Sequence, residues 1–148
     1  MSAFEDFVQE EDACLDELRS LMGAADGSLN GSLDSLHNLD LFVSSLTGQP
    51  NWDTSWPFED FPRARAWLTV RIAYYIGYCA RTFYGASWYP CAGPEEQLKG
   101  TPVVAVEGLE FSPLEVASAL VEKRLSAGLV GFFADLEATC RGRRGPPH

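Results

Sequence analysis

The segment from about Arg63 to Tyr84 constrains the fold more than any other part of the chain. It is long, mostly apolar and free of proline, and its large side chains surround the helical axis instead of forming one stripe. Small residues recur within it at spacings of seven, four and three, at Ala66, Ala73, Gly77 and Ala80. This pattern is typical of a buried helix, so the sequence predicts a central helix against which other helices pack closely.

Further helices are predicted on both sides of this segment. Apolar side chains recur at helical spacing over residues 3–22 and 33–46, and Ser32 is a suitable N-cap for the second of these helices. Beyond the central helix, Ser112-Pro113-Leu114-Glu115 has the residues of a capping box with proline at the first helical position, so a helix is expected from there to about Leu125. A break near Gly128 precedes a final helix.

Two short strands are predicted between the central helix and the capping box. Residues 101–107 are rich in β-branched side chains, and residues 86–90 form a shorter apolar run, so the two should pair as antiparallel neighbours. Residues 107–111 then form a turn that leads to a third strand or directly to a helix. The fold class is therefore α+β, a helix-dominated single domain with about five helices and one small antiparallel sheet of two or three strands.

The 148 residues suffice for one domain with its own core. We assign residues 1–140 to this domain, with an acidic amphipathic helix at about 3–22 and a core at 32–140. Residues 141–148 are expected to form a flexible basic tail. Because no apolar run approaches the ~20 residues of a membrane span and no signal peptide is recognisable, we expect a cytoplasmic protein without membrane contact.

The negative charge is concentrated near the N-terminus. Of a net charge of −10, residues 1–40 contribute ten acidic side chains and one basic side chain, whereas acids and bases nearly balance in the remainder. A field of this sign repels phosphate backbones and accelerates encounter with a basic protein. We therefore expect no nucleic-acid partner, and either a basic protein partner or a surface that serves only solubility.

Residues 51–62 carry four large aromatic side chains among carboxylates, which a loop does not need for solubility. Either the segment covers the core as a lid, which we favour, or it presents a binding surface. The candidate partner-binding residues combine this segment with two acids of the first helix: Trp52, Asp53, Trp56, Phe58, Glu59, Asp60, Glu10 and Glu11.

A pocket between the central helix and the sheet is the alternative site, and its lining residues would be Tyr74, Tyr78, Arg81 and Trp88. Arg71 and Arg81 lie in a largely apolar helix, so each must reach solvent or a carboxylate. Glu107 and Glu110 are the expected partners of these two arginines.

The sequence has no recognisable catalytic motif. It lacks the nucleotide-binding glycine loops, the serine-hydrolase elbow and the zinc-protease helix. The spacing of the four cysteines does not fit a zinc site, and we expect Cys14 and Cys79 in the core and Cys91 at the surface. We therefore predict no catalytic residues, no metal ligands and no cofactor.

Four stretches define the order of elements between residues 32 and 137: Tyr75-Ile76-Gly77-Tyr78, Tyr84-Gly85-Ala86-Ser87-Trp88, Pro102-Val103-Val104 and Phe111-Ser112-Pro113-Leu114-Glu115-Val116. This order resembles small uncharacterised bacterial domains that include immunity proteins of toxin systems. The shared features are structural, and none of them is a catalytic residue. The resemblance implies a non-enzymatic protein that binds a partner.

The leading hypothesis is thus an interaction protein that binds a more basic protein, as an immunity, adaptor or accessory factor. Two alternatives stay open. The first is a small-molecule-binding protein or an enzyme of unrecognised type that uses the pocket. The second is a structural component that forms homo-oligomers.

Overall fold

The computed structural model describes residues 3–23, 29–52, 64–92 and 100–144 of the chain. Within these residues the fold is α+β, with one small sheet among helices, as the sequence predicts. The elements in chain order are α1 (Ala3–Gln9), α2 (Glu11–Met22), α3 (Leu33–Thr47), α4 (Ala64–Tyr84), β1 (Trp88–Pro90), β2 (Pro102–Val106), β3 (Leu109–Phe111), α5 (Pro113–Val121) and α6 (Gly128–Arg144).

Helix α4 lies at the centre of the molecule. Its side chains Leu68, Ile72 and Ile76 are completely buried, and the helix packs against α2, α5 and β2. A helix that is apolar on nearly all sides has to be covered on nearly all sides, and the other elements provide this cover. The prediction of a central helix is confirmed.

The three strands form an antiparallel sheet in the order β1-β2-β3. Val106 pairs with Leu109, so only Glu107 and Gly108 form the turn between β2 and β3. Both turn residues have positive φ, 51° and 84°, which matches the twist of the strands in a two-residue hairpin. Glycine adopts this conformation without cost, whereas Glu107 carries a Cβ into it.

Local capping begins two of the helices as the sequence predicts. The Ser32 hydroxyl accepts a hydrogen bond from the Ser35 amide at 3.1 Å, and the Ser112 hydroxyl accepts one from the Glu115 amide at 3.2 Å. Each bond satisfies an amide that has no partner within its own helix.

Helix α6 obtains its cap from a distant residue. The Asp40 carboxylate, on α3, accepts hydrogen bonds from the amides of Leu129 and Val130 at 2.7 and 3.1 Å. A carboxylate at this position also interacts favourably with the positive end of the helix dipole. Asp40 therefore joins α3 to α6.

Several predicted boundaries differ from the structure. The helix expected over residues 3–22 is interrupted at Glu10 and forms α1 and α2. Helix α5 ends at Val121 instead of about Leu125, and α6 continues to Arg144. Residues 141–144 of the expected flexible tail are thus helical, and residues 145–148 lie outside the described residues.

Candidate interaction surface

The outer side of α1 and α2 carries a group of exposed carboxylates, which we call the acidic face: Glu5, Asp6, Glu10, Asp12, Asp16 and Glu17. Asp16 lies 3.3 Å from Arg19, and Glu17 lies 3.4 Å from Arg71. The carboxylate of each pair remains exposed to solvent, 78% for Asp16 and 48% for Glu17, so solvent screens both contacts. The acidic face is therefore open to solvent along two successive helices.

Glu11 does not belong to the acidic face, although the sequence analysis placed it among the partner-binding residues. Its side chain is only 8% exposed and forms an ion pair with Arg81 of α4. Its second carboxylate oxygen accepts a hydrogen bond from the Trp88 indole nitrogen at 2.9 Å. Both carboxylate oxygens thus have partners within the chain. Glu11 is a structural residue and not the expected partner-binding residue.

Trp52, another of the predicted partner-binding residues, also lies in the interior of the protein. It is 5% exposed and belongs to the hydrophobic core, with the Arg65 guanidinium 5.4 Å from its ring centroid. A Trp52 in the core fits the favoured interpretation of this segment as a cover, and it leaves little of the indole surface for a partner. The remaining candidates of this segment lie outside the described residues: Asp53, Trp56, Phe58, Glu59 and Asp60.

The residues of the expected pocket do come together, but side chains from the N-terminal helices lie among them. The Phe7 ring stacks on Tyr74 with centroids 4.2 Å apart and meets Trp88 edge-on at 4.9 Å. Glu11 occupies the polar end, between Arg81 and Trp88. We call Phe7, Tyr74, Arg81, Trp88 and Glu11 the arm cluster, and α1 the arm.

Tyr78, the fourth residue of the expected pocket, faces another part of the structure. Its ring stacks on Tyr75 at 5.8 Å and lies 5.7 Å from the Arg81 guanidinium carbon. Through its contact with Arg81, Tyr78 lies beside the arm cluster.

Gly77 allows the arm cluster to form. A Cβ at this position would lie 2.9 Å from the Trp88 indole nitrogen and closer still to two ring carbons. The Trp88 ring therefore lies directly on the backbone of α4. The small side chains that predicted close helix packing thus create room for an indole from β1.

The break between α1 and α2 coincides with this cluster. The Phe7 carbonyl accepts hydrogen bonds from the Glu10 amide at 3.2 Å and from the Tyr74 hydroxyl. A tyrosine hydroxyl is protonated and can donate at neutral pH, and burial raises the pKa of Tyr74 further above its ordinary value. Tyr74 thus holds the last turn of the arm at its backbone.

Arg71 forms a second link between α2 and α4. Its guanidinium stacks on the Trp67 ring at 4.1 Å, donates to the Trp67 carbonyl at 3.1 Å and lies 3.4 Å from Glu17. The arginine partners are therefore Glu17 and Glu11, and the expectation that Glu107 and Glu110 would fill this role is wrong. Both glutamates lie on α2, which is distant in sequence from the arginines of α4.

Glu110 instead belongs to a small group on the sheet. It accepts hydrogen bonds from the Tyr89 hydroxyl and, at 3.5 Å, from the Cys91 thiol. Burial and the neighbouring carboxylate raise the pKa of Tyr89 to about 12. Cys91 is 8% exposed, so its expected surface position is wrong, whereas the core positions expected for Cys14 and Cys79 are confirmed.

The spacing of residues near the N-terminus already indicates that Glu11 belongs to the arm cluster. Phe7, Glu11, Cys14 and Leu18 follow one another at spacings of four, three and four, which places Glu11 within the apolar stripe. The charge pattern alone grouped Glu11 with its exposed neighbours. An acid inside an apolar stripe requires a buried partner, and this requirement distinguishes it from the other acids.

Among the described residues, no three His, Cys, Asp or Glu side chains converge as metal ligands would. No helix in the described ranges is both long enough and apolar enough to cross a membrane. No protein-family model, curated protein or solved structure matches this chain.

Proposed function

We propose that the protein is a non-catalytic interaction protein that binds a more basic protein through the acidic face, as an immunity, adaptor or accessory factor. The observation that carries this proposal is the contrast among neighbouring carboxylates. Asp6, Glu10 and Asp12 are exposed and form no ion pair within the described residues, whereas Glu11 is neutralised inside the fold. The charge left on the surface is therefore available to a partner.

The expected role of this charge is to guide encounter. Carboxylates on two successive helices act over about one Debye length, roughly 10 Å at moderate salt, and accelerate association with a basic surface. Affinity in such complexes comes mainly from buried aromatic anchors. Trp56 and Phe58 are the proposed anchors, with Asp53, Glu59 and Asp60 beside them.

The test compares two variants with the same change in charge. D6N/E10Q/D12N neutralises three carboxylates of the acidic face, and D34N/E122Q/D135N neutralises three exposed carboxylates on α3, α6 and the end of α5. Each tagged protein is used to capture partners from extract of its native cells at low and at high salt, and retained proteins are identified by mass spectrometry.

The proposal predicts a basic protein that wild type and the control variant retain at low salt. The acidic-face variant should lose it, and association measured with the purified pair should be slowed about tenfold by that variant. A partner retained equally by both variants, or weakened equally by both, would show that the acidic face serves only solubility.

Self-association is a second candidate, favoured by one observation on α3. Leu33 and Leu41 are 58% and 57% exposed and lie eight residues apart, on one side of the helix. Light scattering over a range of protein concentrations tests this candidate. A dimer that L33Q/L41Q abolishes would support it, and a monomer at high concentration would exclude it.

A further inference from the structure

Helix α3 presents to solvent a row of side chains that carries no carboxylate. Its members are all exposed and lie on one side of the helix, and we call them the α3 stripe: Leu33, His37, Leu41 and Ser44. Leu33 and Leu41, at 58% and 57%, are the most exposed large apolar side chains among the described residues. The α3 stripe is therefore a part of the described surface that gains from contact with another apolar surface.

The opposite side of α3 is committed to the core. Leu36, Leu39 and Val43 are buried, and the helix packs against α5 and α6. Asp40 also joins α3 to the start of α6. The α3 stripe is thus carried by a helix whose position is fixed within the fold, and a preformed surface loses little conformational freedom on binding.

We propose that the α3 stripe is the contact between two copies of this chain, which pair through their α3 helices in an antiparallel, two-fold symmetric arrangement. Leu33 of each copy meets the partner's Leu41, and the two His37 side chains face each other at the two-fold axis. This inference rests on the self-association proposed above and adds the surface, the register and the orientation of the contact.

The spacing of the α3 stripe favours a second copy as the occupant. His37 lies midway between Leu33 and Leu41, four positions from each. A two-fold contact requires a surface that complements itself, and two leucines at equal distances from the centre of the stripe meet this requirement. Rows of residues four apart also form the commonest class of helix crossing in globular proteins. His37 marks the crossing point of the two helices.

The charge of α3 favours the same occupant. Within α3, all of which the structure describes, Asp34 is the only exposed carboxylate, whereas the acidic face lies on α1 and α2. Two copies of an acidic protein associate most easily where like charges are fewest. The antiparallel orientation places the two Asp34 side chains at opposite ends of the contact, whereas a parallel orientation would place them side by side.

The dimer is expected to be weak and to respond to salt in a characteristic way. The α3 stripe covers one side of a single helix, and small contacts are typical of transient association. Each copy carries a net charge of −10, and salt screens the resulting repulsion. Dimerisation should therefore become stronger as salt is raised, whereas binding of a basic protein to the acidic face should become weaker.

The first test is sedimentation velocity of the full chain over a wide range of protein concentrations, at low and at high salt. Wild type should show a reversible dimer with a dissociation constant on the order of 100 μM, tighter at high salt. L33Q/L41Q should be monomeric. V8Q replaces an exposed apolar residue of α1 and should dimerise as wild type does.

Cysteine substitution tests the register and the orientation. H37C should form an intermolecular disulfide under mild oxidation, because the two-fold axis brings the two sulfur atoms within reach. N38C, exposed but pointing about 100° away, should not. In an equimolar mixture of L33C and L41C, the mixed disulfide should exceed both self-disulfides. The four native cysteines are buried, which limits competing reactions.

The possible outcomes separate the α3 contact from self-association as such. A monomer at every concentration and salt would overturn both. A dimer that L33Q/L41Q leaves intact, or in which H37C forms no disulfide, would retain self-association and overturn the α3 contact. Self-disulfides of L33C in place of the mixed disulfide would overturn the antiparallel orientation.

Discussion

Two consecutive tyrosines of α4 hold two different N-terminal regions of this molecule. Tyr74 donates to the Phe7 carbonyl at the end of the arm, whereas Tyr75 accepts from the Gly31 amide at 2.9 Å and is hydrogen-bonded to the Ser35 hydroxyl at the start of α3. Both rings are almost fully buried. Consecutive residues of a helix point about 100° apart, so the two tyrosine hydroxyls lie in different parts of the fold.

The two attachments differ in what surrounds them. Around Tyr75, the start of α3 is part of the core, since Ser35 and Leu36 are buried. Around Tyr74, the arm contributes no fully buried residue. The comparison teaches that a hydroxyl contact fixes a segment only as firmly as the apolar packing beside it allows.

Alkaline pH should cause the largest change in the free energy of unfolding. Burial raises the pKa of Tyr74, of Tyr75 and, to about 12, of Cys79. A raised pKa means that the folded state retains protons which the unfolded state releases. The stabilisation is complete below about pH 9 and falls, by up to about 1.4 kcal/mol per pH unit and group, as pH rises above the unfolded pKa.

Urea unfolding at intervals from about pH 8 to about pH 11 measures this decline. Y75F and C79A should each show a shallower decline than wild type, because one titrating group is removed from each. A free energy of unfolding that stays constant through this range would contradict the prediction.

Substitution of Tyr75 by phenylalanine should have the next largest effect. Y75F leaves the Gly31 amide without its acceptor and deprives Ser35 of one partner, within a buried environment. An unpaired buried group costs about 1–3 kcal/mol, so the free energy of unfolding should fall by that amount. In the S35A background the loss should be smaller, and equal losses in both backgrounds would indicate that the two hydroxyls do not interact.

Substitution of Glu11 by glutamine tests the polar attachment beside the arm. E11Q removes the ion pair with Arg81 and retains an acceptor for the Trp88 indole. Because the Arg81 side chain is 47% exposed, solvent compensates much of the loss, and we expect about 1 kcal/mol in urea unfolding. E10Q, on the acidic face, should change stability by less than about 0.5 kcal/mol. Equal effects of the two changes would contradict the assignment of Glu11 to the interior.

The smallest change in global stability is expected for Y74F. Its loss should be below about 1 kcal/mol, because the released Phe7 carbonyl can be solvated at the surface. Hydrogen exchange should nevertheless become faster over residues 3–10 and stay unchanged over α3. Faster exchange throughout the molecule would show that the arm and the core unfold together.

Much of the fold could be predicted because its signals are local. The caps at Ser32 and Ser112 involve residues three positions apart, and the turn at Glu107-Gly108 joins adjacent positions of two strands. The central position of α4 followed from its own composition. Each of these features depends on chain geometry within a few residues.

The site was less predictable because its contacts are distant in sequence. The ion pair of Glu11 with Arg81 spans 70 positions, and the indole bond from Trp88 spans 77. The total charge of residues 1–40 treats all acids alike, and only their position in the apolar stripe separates Glu11 from Glu10. Similarly, the aromatic content of residues 51–62 favoured a cover over the core but could not show which of its rings is buried.

The sequence by itself determined the fold class, the central helix, the helix starts at Ser32 and Ser112, and the concentration of acids near the N-terminus. Only the tertiary structure decided that the first helix bends at Glu10, that Glu11 turns inward and that Arg81 and Trp88 receive it. The physical reason is the distance along the chain over which each kind of interaction acts. Backbone geometry and capping act within about one helical turn, whereas pairing of a buried charge depends on which distant side chain packing brings within reach.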